Sequence, residues 1–446
     1  MSKPLAPMAA AESPTDGFKT APYWWDAARP EPVAMQDLPA KADVVVVGSG
    51  YTGLSAALLL ARAGRRVVVL EKEDPGYGAS RRNAGYIGRT LKQSFPSLMK
   101  SHGEAYARAV YGELNAALQY VRHLIESEGI DCCIARPGRF IGATSQAHYD
   151  LMAEEFEVTR RYMGFEYHMV PRAEQRSEIA TDLYYGGAVV PDLGSLHPGL
   201  YHKGLLSRAV AAGVQVLGRT EVLATRPDGA KVRVATSGGV VEADAVIIAT
   251  NGYTPRQFRW HARRVIPFTG YMAATEIFPE DILKRQIPHR RTVLDSNLNI
   301  DFVRPAPDTN RILFGGSTGS RLATPAAIAA RLRVVISRVL PDLANVSFSH
   351  VWSGECAGTF DMRPHLGMRD RIWYGLGYNF AGVPMATYFG KLIAGQILGL
   401  ESSQTVFSEG KMPTVPFYTG NPWFVPYAMR YFDWRDHRLA QRGSGK

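Results

Sequence analysis

The chain is poor in cysteine: its 446 residues hold three, Cys132, Cys133 and Cys356. Two are adjacent, and no CxxC or CxxH pair occurs, which argues against structural zinc and a secreted disulfide framework. No apolar run approaches the length of about 20 residues that a membrane-spanning helix needs. The 11 histidines form no HxH or HExxH pattern, so no metal site is expected. Internal repeats, low-complexity tracts and long charge blocks are missing too. The first residues, MSKPLAPMAAAESPTDG, lack the apolar core of a secretory signal, and a cytoplasmic location is expected.

What is present is an ordinary globular composition, 46% hydrophobic and 21% charged, in a chain long enough for two packed domains. The formal charge is +10, but basic residues are scattered and never run beyond pairs. Arg outnumbers Lys, and Arg is the better fork for carboxylates and phosphates. A bound polyanionic cofactor or an acidic substrate accounts for this excess without nucleic acid.

From Ala42 the pattern becomes regular. ADVVVV (42–47) is a continuous β-branched run, as in a strand buried on both faces of a parallel sheet. GSGYTG follows, then LSAALLLARAG (54–64) as a helix ended by Gly64, then RRVVVLE (65–71) as a second strand. This βαβ unit carries Gly48-x-Gly50-x-x-Gly53. Gly48 allows the tight turn, Gly50 lets the backbone approach a pyrophosphate, and Gly53 lets helix and strand pack closely. The helix N-terminus at Tyr51 and Thr52 offers free N–H groups and positive dipole to phosphates. Glu71, ending the second strand beside Lys72, is placed to accept both ribose hydroxyls and disfavours a 2′-phosphate. The βαβ unit alone leaves NAD and FAD open. The next segment, Gly76, Tyr77, Gly78, Ala79, Ser80, Arg81, Arg82, Asn83, Ala84 and Gly85, suits a backbone-rich loop beneath pyrophosphate and flavin.

Further along, 95–128 and 146–163 read as helical, Leu205–Gly213 as a helix, and 221–250 as a strand, a hairpin and a second buried strand. Antiparallel-looking strands fill 260–350 around a helix at 325–339. The last regular unit, 371–399, is a strand, a Gly-rich loop and a helix. Residues 1–40 read as an arm anchored by Trp24 and Trp25.

VVVVGSGYTGLSAALLLARAG (44–64), GASRRNAG (78–85), ADAVIIATNGYT (243–254), WSGECAGTFDMRPHLG (352–367) and GLGYNFAGVPMATYFGKLIA (375–394) together carry a resemblance. The chain resembles flavin-dependent amine or amino-acid oxidoreductases of the D-amino acid oxidase superfamily, and within it the γ-glutamylputrescine oxidase-like branch. The resemblance implies FAD and an α/β plus α+β architecture. A discontinuous Rossmann-like FAD-binding domain (41–130, 186–258 and 350–405) would join a second domain built on a large, mostly antiparallel sheet with helices (131–185 and 259–349). The tail, 406–446, would pack on the body. Val222 would lie on the adenine side. Ala249, Thr250 and Gly252 would pack beneath the cofactor. Gly377, Asn379, Phe380, Gly382 and Val383 would bring backbone N–H groups and a helix N-terminus to the flavin's pyrimidine end, where positive dipole stabilises a reduced ring.

The implied reaction is oxidation of a C–N bond to an imine, with hydride going to flavin N5, hydrolysis of the imine, and reoxidation by O2 giving H2O2. Tyr271 and Arg304 are candidates for the substrate pocket, Arg304 either for pairing a carboxylate or as a structural arginine at a strand end. Asp361, in the TFD turn with Thr359, is expected near the flavin or else as the residue that holds its own loop, and His197, before a helix, is either a helix-entry residue or a further catalytic candidate. Two features depart from some relatives. No Lys stands at the strand RILFGGS, where Leu313 and Phe314 occur, which keeps a dehydrogenase with another acceptor open. Cys356, before Thr359 and Pro364, raises covalent flavin attachment as a question. The partners implied are a small amine substrate and O2 or another acceptor. No nucleic acid and no spanning segment are expected, and oligomeric state is left open. A basic RNA-binding or RNA-modifying flavoprotein is the reading from another class. The aromatic and Arg-rich segment 421–438 reads as a clasp over its own domain rather than a membrane-binding helix, because its prolines should break a long amphipathic helix.

Overall fold

Two alternating faces of one β-branched run organise the first sheet. Along Lys41–Val47, Val44 and Val46 face one core while Val45 and Val47 face another. The computed structural model describes residues 17–33, 36–319 and 322–442; parts of the expected arm and the last four residues of the tail lie outside them. Five parallel strands form the centre of this sheet, in the order Ile372–Leu376, Gly239–Ile248, Lys41–Val47, Val67–Leu70 and Gln215–Leu217. Val44 stands beside both Ala245 and Val67. His365–Arg369 extends one edge antiparallel, and the hairpin Val222–Asp228 and Lys231–Thr236 folds back from Gly239–Ile248. Helices Tyr51–Arg62, Glu104–Ser127, Pro198–Ala211 and Gly382–Ile397 bury their apolar faces on one side.

The second sheet has eight strands, in the order Phe348–Gly358, Ile266–Thr275, Ile312–Gly316, Phe302–Pro305, Thr292–Asp295, Arg139–Gly142, Gly187–Val190 and His168–Val170. Every neighbouring pair is antiparallel except Thr292–Asp295 with Arg139–Gly142. Helix Pro325–Val339 covers one face through Ile328, Leu332 and Ile336. Gly187–Val190 and all of Phe348–Gly358 belong to this sheet, so the segment boundaries expected at 186 and 350 move. The apolar pattern of neither strand, four residues in one and eleven in the other, says which sheet it joins.

Three other expectations change. The helical stretch 95–128 is two helices, Phe95–His102 and Glu104–Ser127, divided at Gly103 with φ +86°. The helix expected at 205 starts at Pro198, where His197 accepts the Leu200 N–H at its Nδ1 and proline fits the first turn. The tail forms an 18-residue helix, Val425–Arg442, despite its prolines. Pro426 sits in the first turn, where its missing N–H has no helical partner to lose, and the other prolines precede the helix.

Candidate cofactor and substrate site

Strand Lys41–Val47 lies where the connections of the parallel sheet diverge, and Gly48 follows its C-terminal end, the place where open α/β sheets bind ligands. Gly48 has φ +102°, and a Cβ at Gly53 would stand 2.1 Å from the Gly48 carbonyl oxygen. The turn closes only because both lack side chains. Glu71 holds it from the next strand: Oε2 accepts the Ser49 N–H at 2.9 Å and its hydroxyl at 2.6 Å, and Oε1 accepts the Glu73 N–H at 3.2 Å.

A second tie was not foreseen. His202, fully buried on helix Pro198–Ala211, donates its Nε2–H to the Ser49 carbonyl at 2.7 Å, and its Nδ1 accepts from Arg81 Nε at 2.9 Å. Arg81 also donates to the carbonyls of Ala28 and Arg29. Burial, then the Arg81 charge, pushes the His202 pKa down to about 3, so the ring stays neutral in the tautomer that the relay needs. One chain of bonds thus joins the arm, the 78–85 loop and the glycine turn. The signal for it was the paired arginine beside a lone helical histidine, but only the fold brings them together.

A cavity of about 440 Å³ runs from this turn to the second sheet. Gly48, Gly50, Tyr51, Thr52, Glu71, Lys72, Gly78, Ala79, Ser80, Arg82, Asn83, Ala84, Gly85, Val222, Ala249, Thr250, Phe380, Gly382 and Val383 line it. Four of the residues expected to bind cofactor lie behind the wall, for steric reasons. Gly53 packs on Gly48, and a Cβ at Gly252 would meet the Cys356 carbonyl oxygen at 2.5 Å. Gly377 donates its N–H to Asn251 Oδ1 at 2.9 Å, and Asn379, at φ +47°, donates from Nδ2 to the Gly377 carbonyl at 2.5 Å. They shape the loop before helix Gly382–Ile397 without facing the cavity. Arg82 lies 4.7 Å from the ring centroids of both Trp25 and Tyr77, so the arm reaches the wall through Trp25, while Trp24 is fully buried.

At the far end the catalytic candidates separate. Tyr271 lines the cavity, and its hydroxyl accepts the Leu322 N–H at 3.2 Å. Arg304 does not reach it: the buried guanidinium donates to the carbonyls of Ala84 at 2.7 Å, Leu196 at 3.0 Å and Pro305 at 3.1 Å. His197 is buried at its helix cap with Trp24 edge-on at 4.8 Å, and burial pushes its pKa down to about 4. Asp361 also stands outside the wall. Burial works to raise its pKa, but His365 and Arg363, both at 3.0 Å, hold it well below the usual carboxylate range. Arg304, His197 and Asp361 therefore serve the frame. Leu313 and Phe314 are fully buried core residues.

Arg139, Glu355 and Met429 were not foreseen as wall residues. Arg139 starts a strand of the second sheet and is 3% exposed. Its Nε donates to Thr292 Oγ1 at 3.2 Å and Nη2 to the Ile87 carbonyl at 3.3 Å; among the described residues no carboxylate pairs with it. Burial pushes its pKa down to about 10, which leaves it charged at neutral pH. Glu355 accepts the Thr269 hydroxyl at 3.0 Å, and burial raises its pKa. Cys356, beside it on the wall, has its thiol pushed up to about 12, first by burial and then by Glu355.

A glycine turn at the end of a parallel strand, a ribose-type acid on the next strand and a cavity closed by a second sheet define a dinucleotide-dependent enzyme. The profile of the FAD dependent oxidoreductase family matches residues 43–396, and the chain belongs to that family; its cofactor is FAD. It is 31% identical over 402 residues to gamma-glutamylputrescine oxidoreductase of Escherichia coli, covering 88% of this chain and 92% of that one. A probable oxidoreductase, OrdL, of Haemophilus influenzae is 29% identical over 379 residues, 84% of this chain and 87% of that one. Among solved structures, glycine oxidase from Geobacillus kaustophilus superposes with a TM-score of 0.70 at 22% identity, covering 85% of this chain and 99% of that one. The expected fold class and cofactor agree with these findings.

Proposed function

We propose that the chain oxidises the C–N bond of a carboxylate-bearing amine to an imine, which water then hydrolyses, and that O2 takes up the two electrons and two protons as H2O2. The observation that carries this reading is one cavity whose wall holds both the glycine turn and Tyr271, Glu355 and Arg139, the last with no carboxylate partner among the described residues. FAD bound there supplies a hydride acceptor at its N5. The glycine turn and the N-terminus of helix Tyr51–Arg62 would hold its pyrophosphate, Glu71 its ribose, Val222 its adenine side, and the N-terminus of helix Gly382–Ile397 its pyrimidine end. A turn held tight by Gly48 at φ +102° and by the close approach of Gly53, opening on the cavity through Gly48 and Gly50, fits that group.

The chain's own side chains handle charge. Arg139 takes the substrate carboxylate as a charge-assisted fork, a strong bond in a cavity that excludes water. Glu355 would take the amine in this reading, since burial raises its pKa and suits it to draw off the proton that otherwise blocks loss of hydride. Tyr271 and Phe302 form apolar walls that orient the reacting carbon. The E. coli relative's name makes γ-glutamylputrescine a natural member of the test panel, since that molecule carries both an amine and a carboxylate. One observation favours a second acceptor: Lys72, the lysine among the described wall residues, lies at the ribose end, and Lys92 stands behind Phe380, 4.9 Å from its ring. An anaerobic screen for flavin bleaching over amines and amino acids, followed by air, decides both points. Bleaching with rapid return of colour supports the oxidase. Bleaching that persists in air assigns a dehydrogenase, and no bleaching by any amine removes the proposal.

A further inference from the structure

The tail carries charge and aromatic surface in an order that the cofactor site does not use. Phe417 is 98% exposed and held at φ +63°, a conformation that costs a bulky residue energy. Beyond it, Trp423 is 63% exposed, Tyr427 63%, Tyr431 54% and Trp434 48%. The last three follow helical spacing and share the outer face of helix Val425–Arg442, with Trp423 6.5 Å from Tyr427 and Tyr431 5.7 Å from Trp434. Arg430 leans on Tyr427 at 5.9 Å and Arg438 on Trp434 at 4.5 Å, and Arg435 is exposed.

The inner face is already used. Val425 is buried, Met429 lines the cavity, Asp436 is half-buried, and Asp433, though exposed, is bonded to the neighbouring loop. Asp436 accepts the Leu298 N–H at 2.8 Å and Asp433 accepts Asn299 Nδ2 at 3.3 Å. The helix clasps the rim of the cavity, and its carboxylates are committed to that clasp. The outer face is left with aromatic rings and arginines, a cationic, amphipathic surface.

We propose that this face docks on an anionic lipid bilayer, with Phe417 and the aromatic stripe at the depth of the headgroups and the arginines on the lipid phosphates. Charge selects the occupant: Arg430, Arg435 and Arg438 are exposed, while both carboxylates are taken up by hydrogen bonds from Leu298 and Asn299. Ring type agrees, because Trp and Tyr pair an apolar body with a polar edge suited to that depth. Among the described residues no helix is long and apolar enough to cross a membrane, so the attachment is peripheral.

Full-length FAD-loaded protein is sedimented with vesicles of phosphatidylcholine alone and with about 30% phosphatidylglycerol added, at low and high salt. Retention on the anionic vesicles, weakened by salt and nearly lost on neutral ones, is expected. Replacing Arg430, Arg435 and Arg438 with Gln should lower partition on the order of 100-fold at low salt. F417S/W423S/Y427S/W434S should lower it at least tenfold while keeping bound FAD. Should that variant fold poorly, quenching of the parent's tryptophan fluorescence by brominated lipid, removed in W423F/W434F, reads the same contact. Absence of retention on anionic vesicles, or undiminished binding by the aromatic variant, overturns the proposal. So does a parent dimer that the aromatic substitutions convert to monomer, which would assign the face to a second copy of the chain.

Discussion

At its ribose end the cavity is made of backbone: a turn closed by missing side chains, the N-terminus of helix Tyr51–Arg62 and one acid at a strand end. At its far end it is made of side chains that arrive from four distant segments, Arg139, Tyr271, Glu355 and Met429. The first design tolerates no change in shape but is indifferent to what lies around it. The second is set by which strands happen to be neighbours, and it can change its chemistry without disturbing the sheet. Specificity in such a fold is free to drift while the cofactor cradle stays.

That contrast is tested most severely at Gly53. Gly53→Val places carbon where the Gly48 carbonyl oxygen stands, so the turn must open. FAD occupancy after gel filtration, read from flavin absorbance against protein, should fall below detection. A yellow protein with full occupancy would show that the turn is not held by close packing.

The next effect belongs to the other end. Arg139→Met should raise KM for a carboxylate-bearing amine on the order of 30- to 100-fold, which corresponds to about 2–3 kcal/mol for a charge-assisted bond. FAD occupancy should not change. Wild-type protein offers the same test without substitution: an amino acid should bleach the flavin far more readily than its methyl ester. Equal response to acid and ester would detach Arg139 from substrate while leaving amine oxidation standing.

The two ends also differed in how far they could be foreseen. Val44–Val47, Gly48, Gly50, Gly53 and Glu71 are neighbours along the chain, so spacing alone carried the cradle. The parallel core strands were legible for the same reason, since burial on both faces leaves a continuous apolar run. Arg304 stayed open between two roles because an arginine in an apolar strand reads the same whether it faces substrate or three backbone carbonyls. Arg139 sits in RPGRFIGAT with an identical local signal, and only the neighbouring strand, which brings Thr292, and the nearby Ile87 carbonyl, decide that its remaining donors are spare. The prolines of the tail misled for a different reason. Their effect depends on position within a helix, and Pro426 falls in the one turn that accepts it.

A smaller effect concerns the loop that joins the far end to the clasp. Asp295 accepts the Asn297 N–H and side-chain amide, at the start of a loop whose residues 298–300 line the cavity. Burial, then the charge of Asp301, pushes its pKa well above the usual carboxylate range. The unfolded chain releases this proton at lower pH than the folded one. Between those two values the folded state holds the extra proton, so stability falls as pH rises. Melting temperature should decline from mildly acidic toward neutral and alkaline pH, and Asp295→Asn should flatten that decline. A profile unaltered by the substitution would place the titration elsewhere.

Cys356 gives the least effect and the sharpest boundary between the two ends. It lies on the wall beside Glu355, within a strand that pairs with Ile266–Thr275, so position alone would let it attack a flavin ring. Reactivity says otherwise. A thiol acts as the thiolate, and burial together with the Glu355 charge pushes this one up to about 12, leaving it protonated near neutral pH. The cofactor should therefore be held by the cradle alone. Acid denaturation should leave the yellow colour in the supernatant, and Cys356→Ala should keep parental FAD occupancy. Colour that stays with the precipitated polypeptide, and is lost in Cys356→Ala, would mean that the far end shares in holding the cofactor, and the division of labour between backbone and side chains would have to be redrawn at that residue.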